Sequence, residues 1–422
     1  MFRWKAIKGT PLDTFFKNVT SNETPNCRVA NEYLAEDRIM CLQVYIKETT
    51  GYTVTYIPDA KAFTDGPPNM TVLMKQRRRW MNGALFGTAS VIANFTNMIS
   101  CGRNDHPWYR QALMILFMVY MITLYFLQFF TMGAMFASIV IFFDQFFVDI
   151  FVSSGSEWMT EFYESGVPKE VFFSVYMFGL FLSIFIAISL PIDRAMPYYR
   201  VIAVVFAIIV LTSIVGICFF LAKSGFFPPE KKFDRDNNEW YPTGEAYFSW
   251  LELAGVIMLS VYLLPFVLRP VDFIQNASKY LLGLVSYLFL LPMFTNVFQI
   301  YSMCNLHDVS WGNRPASTGA EAFTADKAKQ DKIKGDYLVF RTNFTFIWII
   351  ANGGYFILIL WLVEGNGHKT TVNSGSFGYL EVFSLYLAAL VVFRLTFAVL
   401  YISNWKIKYL CLRKYRVKYH DL

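Results

Sequence analysis

The sequence predicts an α-helical membrane protein with a small soluble portion at its N-terminal end. Three observations predict this class. Of 422 residues, 55% are hydrophobic and only 16% are charged. Mean hydropathy is +0.38, and the apolar residues gather into runs near or above the ~20 residues that a membrane-spanning helix needs. These figures argue against a chain of several soluble domains, which length alone would permit. Net charge is +6 and concentrates in an arginine-rich stretch and in the C-terminal tail, a pattern that favours a membrane surface over nucleic acid as partner. The six cysteines, Cys27, Cys41, Cys101, Cys218, Cys304 and Cys411, show no C-x-x-C pair. Neither a disulfide framework nor a zinc site is expected.

Taken in order, the opening MFRWKAIKGTPLDTFFKNV is too polar after its first residues to hold the apolar core of a signal peptide. Residues 1–68 read instead as the inside of a soluble domain. In them a helical period through Leu34, Ile39 and Leu42 gives way to an alternating run from Tyr52 to Ile57, which predicts a helix followed by a strand. Glu36, Asp37 and Arg38 fall on or near that helix. Adjacent carboxylates beside an arginine are commonly a solvated salt-bridge cluster, so their meaning depends on what surrounds them.

Residues 69–110 read as amphipathic interface helices. Pro67 and Pro68 end what precedes, Asn69 can cap, and a helix is expected from near Met70. On it Gln76, Arg79, Trp80 and Gly83 fall at i, i+3, i+4 and i+7, one face, while Arg77 and Arg78 point elsewhere. An indole, a guanidinium and an amide on one face suit a ligand that is part sugar and part phosphate. Guanidinium forks pair with phosphate oxygens, and a flat aromatic can stack on a pyranose. The plainer alternative is that the arginines only mark the inner edge of a membrane helix.

From residue 111 the apolar runs begin. Seven are candidates: Ala112–Phe143, Val171–Leu190, Val201–Leu221, Leu251–Leu268, Tyr280–Met303, Phe344–Val363 and Tyr379–Ile402. Residues 111–303 are read as membrane helices, 304–343 as an inside loop, 344–404 as the last two spans and 405–422 as a basic inside tail. Acidic residues between Asp144 and Glu170 suit an outside loop, whereas Lys327, Lys329, Lys332 and Lys334, with the basic residues after Trp405, suit the inside. Five candidates separate Trp80 from Ser310, yet an even number is needed if both stretches share a side. Leu251–Leu268, interrupted by Pro265 and ended by Arg269-Pro270, is the candidate expected to lie along the interface or break. Six spans in total are expected.

The inside loop holds Ser310-Trp311-Gly312, with Arg314 two residues on. A large aromatic beside a flexible glycine, with a phosphate-capable base, can swing over a nucleotide and leave. A tryptophan anchor at the membrane interface is the plainer alternative.

Together, Leu34-Ala35-Glu36-Asp37-Arg38, then Gln76-Arg77-Arg78-Arg79-Trp80 followed by Met81-Asn82-Gly83, then Ser310-Trp311-Gly312, and several spans, resemble chitin synthase, a processive family-2 glycosyltransferase. Cellulose and hyaluronan synthases share the Q-x-x-R-W helix, but the first and last motifs are closer in wording to chitin synthases. The resemblance implies that residues 1–68 are the acceptor-side, C-terminal portion of a cytosolic GT-A-like α/β glycosyltransferase domain. It implies UDP-GlcNAc and a growing chitin chain as substrates, with inverting transfer to the terminal 4-hydroxyl and export through the membrane. Asp37 would be the base, with Glu36 and Arg38 orienting it; Trp80 would floor the acceptor sugar; Arg79 and Arg77 would meet the leaving pyrophosphate, and Gln76 the acceptor or pyrophosphate. Ser310, Trp311, Gly312 and Arg314 would form a gating loop, although Asn313 stands where chitin synthases usually carry threonine, and Pro315 follows Arg314.

The resemblance further implies a divalent cation, Mg or Mn, held by an aspartate motif in a donor-binding half upstream. Nothing in residues 1–36 matches that motif, so no metal site is expected in this chain, and the chain alone is expected to be inactive. A homodimer in the plasma membrane, in contact with lipids and with its catalytic part and C-terminus cytosolic, is implied likewise. The remaining alternatives are a sibling synthase for hyaluronan or cellulose, and a non-enzymatic channel or transporter. Against the latter, intramembrane charges are sparse: Glu252 and Asp272 lie near span ends and Arg394 stands within the last run, whereas ion pathways gather charges deep in the bundle.

Overall fold

In a computed structural model, which describes residues 2–20, 25–54, 62, 64–99, 105–152, 157–224, 229–234, 239–246, 256–257, 260, 264, 270–310, 327–365 and 374–411, the chain is overwhelmingly helical. The short helices come first: α1 (Trp4–Ile7), α2 (Thr10–Thr20), α3 (Cys27–Glu32), one 3₁₀ turn (Tyr33–Ala35) and α4 (Glu36–Tyr45). Asn26 caps α3, its Oδ1 accepting from the Val29 N–H at 2.9 Å. Helix α5 (Met70–Ala93) starts where the sequence indicates, with Asn69 Oδ1 accepting from the Val72 N–H at 3.0 Å, one of the orphan donors that a helix start must satisfy. After α6 (Phe95–Ile99) come α7 (Trp108–Val152), α8 (Glu157–Glu164), α9 (Val167–Ser189) and α10 (Ile192–Ser224). A two-stranded antiparallel hairpin, β1 (Pro229–Asp234) and β2 (Glu239–Ala246), pairs Phe233 with Trp240.

Helix α11 (Pro270–Pro292) ends at a proline, and the chain continues through one π turn, Met293–Val297, into α12 (Phe298–Cys304). Proline lacks the N–H that a regular ladder would use, and single π turns often mark such interruptions. The long α13 (Lys327–Gly365) and α14 (Ser374–Cys411) close the chain.

Six described helices are long and apolar enough to cross a membrane: Trp108–Ile141, Val167–Ser189, Ile192–Val215, Phe273–Cys304, Asp331–Leu362 and Val382–Asn404. They correspond to six of the seven apolar runs; Leu251–Leu268 falls almost wholly outside the described residues. Four of these six described helices lie between Trp80 and Ser310.

The expected α/β portion is not seen. Every regular element described between residues 2 and 99 is a helix, and residues 52–54, where the strand was expected to start, form none. The rest of that run, residues 55–57, lies outside the described residues. Alternation alone does not make a strand, which needs a partner for its ladder, and the described hairpin pairs only with itself.

The chain divides into two compact units, Met1–Val140 with Gly166–Thr212 and Tyr287–Leu358, and Ile141–Ser165 with Ser213–Ser286 and Ile359–Leu422. Every described residue of the candidate site belongs to the first. Within that unit, α2 packs on α4, α3 and the 3₁₀ turn pack on α5, and α12 packs on both α5 and α9. Buried Leu42, Met98 and Met118 gather Tyr45, Val91, Phe95 and Ile122 around them, tying α4, α5 and α6 to the start of α7. Deeper in the spans, Asn352 donates to the Phe129 carbonyl at 3.1 Å and accepts from the Gly133 N–H at 2.9 Å. A Cβ on Gly133 would stand 2.6 Å from the Asn352 carbonyl. A small residue and satisfied amides at a helix crossing are how spans associate without water.

Candidate active site

Helix α5 shows three surfaces, and each does something different. Met74, Arg78, Asn82 and Leu85 form a fully buried stripe. Gly83 and Gly87, one turn apart, lie against the 3₁₀ turn. A Cβ on Gly83 would sit 3.1 Å from Ala35 N, Ala35 Cβ and Leu34 C, and one on Gly87 would sit 3.6 Å from Ala35 Cβ. Only a residue without a side chain lets the two backbones approach this closely. The turn it touches leads straight into Glu36, Asp37 and Arg38, so the contact brings the first two motifs of the chain together. Glu36 and Asp37 occupy the first turn of α4, where the unsatisfied N–H groups favour negative charge. Asp37 is exposed, and its Oδ1 accepts from the Arg38 N–H at 2.9 Å.

The third surface carries the aromatic. Trp80 is 45% exposed, and the Arg77 guanidinium lies over its ring at 4.9 Å and over the Phe294 ring at 5.9 Å. Phe294 comes from the π turn, so the irregularity after Pro292 supplies this second ring. Gln76 and Arg79 are half-buried.

Arg78 points away from the Gln76 and Trp80 side, as the helical spacing indicates, and into a buried set of partners. Its side chain has 0% exposure. Nη2 donates to the Ser310 carbonyl at 2.8 Å and to Ser310 Oγ at 3.2 Å, and the guanidinium pairs with the Asp308 carboxylate. Removal from water lowers its pKa to about 10, with a smaller push from Arg79 and an opposing one from Tyr301. Helical spacing puts Met74, Arg78, Asn82 and Leu85 on one stripe, but with Arg78 and Asn82 in it the stripe gives no apolar signal of burial.

The segment from Asn305 to Ser310 is held from several sides. Asn305 Nδ2 donates to the Ala187 carbonyl at 3.2 Å. The Leu306 carbonyl accepts from Asn31 Nδ2 at 2.8 Å and from Cys27 Sγ at 3.4 Å. Burial raises the Cys27 thiol to about 12, against a hydrogen bond from Asn31 that lowers it. Burial also lowers the His307 pKa, and the charges of Arg341 and Arg78 add to the effect. Of the expected gating residues, Ser310 is therefore fixed against α5, whereas Trp311, Gly312 and Arg314 lie outside the described residues.

Residues 1–95 match the chitin synthase-like glycosyltransferase domain. The chain is 26% identical to chitin synthase 1 of Phytophthora sojae over 399 residues, which covers 86% of the chain and 40% of that protein. It is 27% identical to chitin synthase 2 of Mycosarcoma maydis over 339 residues, covering 78% and 30%, and 27% identical to chitin synthase 1 of Saccharomyces cerevisiae over 316 residues, covering 75% and 26%. The chain is similar to chitin synthases. It spans 40% or less of the length of these three relatives.

The metal that chitin synthase chemistry implies does not fit the described residues. They contain no group of three or more His, Cys, Asp or Glu side chains placed to hold an ion, and the neighbours of Asp37 in the first turn of α4 include the basic Arg38.

Proposed function

We propose that this chain carries the acceptor-side half of a chitin synthase, which transfers GlcNAc from UDP-GlcNAc to the 4-hydroxyl of a growing chitin chain and exports the product between its membrane helices. The observation that carries this reading is the contact of Gly83 with Leu34 and Ala35, which sets the carboxylate turn directly beside the arginine helix. The 4-hydroxyl oxygen attacks the anomeric carbon from the face opposite the leaving group, the bond to UDP breaks, and configuration inverts. A hydroxyl is a weak nucleophile, so a carboxylate within reach must take its proton. Asp37, exposed at the head of α4, fills that role, with Glu36 and Arg38 orienting it.

Trp80 offers the floor for the acceptor sugar. Arg77 covers one face of its indole, and the exposed remainder is an apolar surface for a pyranose. Holding the acceptor in line supplies much of the rate. Arg79 and Arg77 stabilise the charge that builds on the pyrophosphate as it leaves, and Gln76 hydrogen-bonds the acceptor or the pyrophosphate. The stretch from Ser310 through Trp311, Gly312 and Arg314 acts as the gate over the nucleotide. A Mg or Mn ion on the donor would be held by groups outside the described residues. The setting is the plasma membrane, with α5 and the C-terminus cytosolic and two copies of the chain associated.

The test is incorporation of radiolabelled GlcNAc from UDP-GlcNAc into chitinase-sensitive polymer by membranes containing this chain, alone and joined to the upstream half of a longer chitin synthase. Labelled chitin in the joined form is the expected result. Polymer made only from UDP-glucose or UDP-glucuronate would reassign the chain to a sibling synthase, and no polymer from any donor would overturn the enzyme reading.

A further inference from the structure

We infer that Arg78 is a positioning residue: through Asp308 and Ser310 it clamps the arginine helix to the end of the fourth span, and so fixes the rotation at which Gln76 and Trp80 face the acceptor. The inference rests on the reading of α5 as the acceptor helix. The clamp is a closed ring of polar contacts. The Arg78 guanidinium pairs with the Asp308 carboxylate, Asp308 Oδ1 accepts from the Ser310 N–H at 3.0 Å, and Arg78 Nη2 donates back to the Ser310 carbonyl at 2.8 Å.

The ring sits on a platform that is itself held, since Leu306 is bound by Asn31 and Asn305 reaches the Ala187 carbonyl. Arg78 has no exposure at all, so it is closed to a nucleotide or a sugar and acts only through what it holds. Residues two positions apart lie about 200° around a helix axis; Gln76 and Trp80 stand at that separation before and after Arg78. A contact on the buried side therefore sets the direction of the open side. The close approach of Gly83 to Ala35 fixes the distance between the helices, and the clamp fixes the angle. Lysine keeps the charge but lacks the planar fork that binds a carboxylate and a carbonyl together.

Two measurements test this. In the first, unfolding midpoints of the full chain in detergent are compared for native, Arg78→Met, Asp308→Asn and the double variant. A clamp predicts that Asp308→Asn, which strands a buried cation, lowers the midpoint more than the double variant does, so the effects are not additive. Additive effects would overturn the clamp whether or not the chain is active. In the second, kcat and KM are measured for chitin formation by Arg78→Lys and by the native chain, each joined to the upstream half of a longer chitin synthase. Positioning predicts a loss of about 100-fold in kcat with KM for UDP-GlcNAc changed less than about threefold. A folded Arg78→Lys variant with native kcat, or one that loses only in KM, would overturn the positioning role while leaving the proposed function intact. Absence of transfer by the native chain in every form would instead overturn the proposed function and the positioning role with it, and the midpoints alone would then decide whether the clamp exists.

Discussion

Arg78 and Trp80 are two residues apart on one helix, yet the first is entirely buried in a ring of polar partners and the second leaves 45% of its surface open. The difference divides one motif into a side that holds and a side that presents. Holding requires desolvation. An ion pair at a surface, such as Lys75 with Asp193 at 3.1 Å, contributes little because water and salt screen it, whereas a buried guanidinium is costly unless a counter-charge and hydrogen bonds meet it, as Asp308 and Ser310 meet Arg78. Presenting requires the reverse, a ring left partly bare so that a sugar can displace water from it. A run of three arginines therefore contains groups with different physical tasks, and the pattern of burial tells them apart.

The largest expected effect lies at the carboxylate beside the presenting side. Asp37→Asn is expected to lower polymer formation by about 100-fold or more while leaving UDP-GlcNAc binding intact, measured by labelled-polymer yield beside donor binding. Native turnover in that variant would remove Asp37 from the role of base.

Next in size is the joint between the two motifs. Gly83→Val puts branched atoms where a single Cβ already meets backbone at 3.1 Å. It should destabilise the chain by about 1–3 kcal/mol and separate α5 from α4, read as a lowered unfolding midpoint together with lost activity. An unchanged midpoint would mean that the close approach is not required.

Trp80→Ala should cost about 1 kcal/mol of acceptor binding, roughly a fivefold effect, and shorten the product chains. Unchanged product length would move the sugar floor to another ring, with Phe294 the next to test. The smallest effect concerns pH on the holding side. His307 is pushed below its ordinary value of 6.5, so the unfolded chain binds that proton more readily than the folded one. Stability should fall as pH drops through 6.5 and below, and be whole above it. His307→Gln should flatten the dependence of the unfolding midpoint between about pH 7.5 and 5.5.

Much was legible from residues alone. Apolar runs longer than a bilayer is thick have one folded solution in lipid, because every backbone group must be paired within the helix; six of the seven runs accordingly appear as span-length helices. The cap at Asn69 and the start of α5 follow from local chemistry in the same way, and the ordered motifs pointed to the chitin synthase relatives before any fold was in view. The alternation from Tyr52 was misleading as far as the described residues go, because a strand depends on a partner that periodicity does not reveal.

What only the tertiary structure decided is which arginine is which and what Gly83 touches. Helical spacing fixes the angle of each side chain around its own axis but not the element that arrives to cover it. That Ser310, more than two hundred residues downstream, returns to close over Arg78 depends on four intervening spans and on the contacts of α12 with α5 and α9. Local sequence sets the angles; the long-range packing of the first unit sets the burial, and with it the function of each charge.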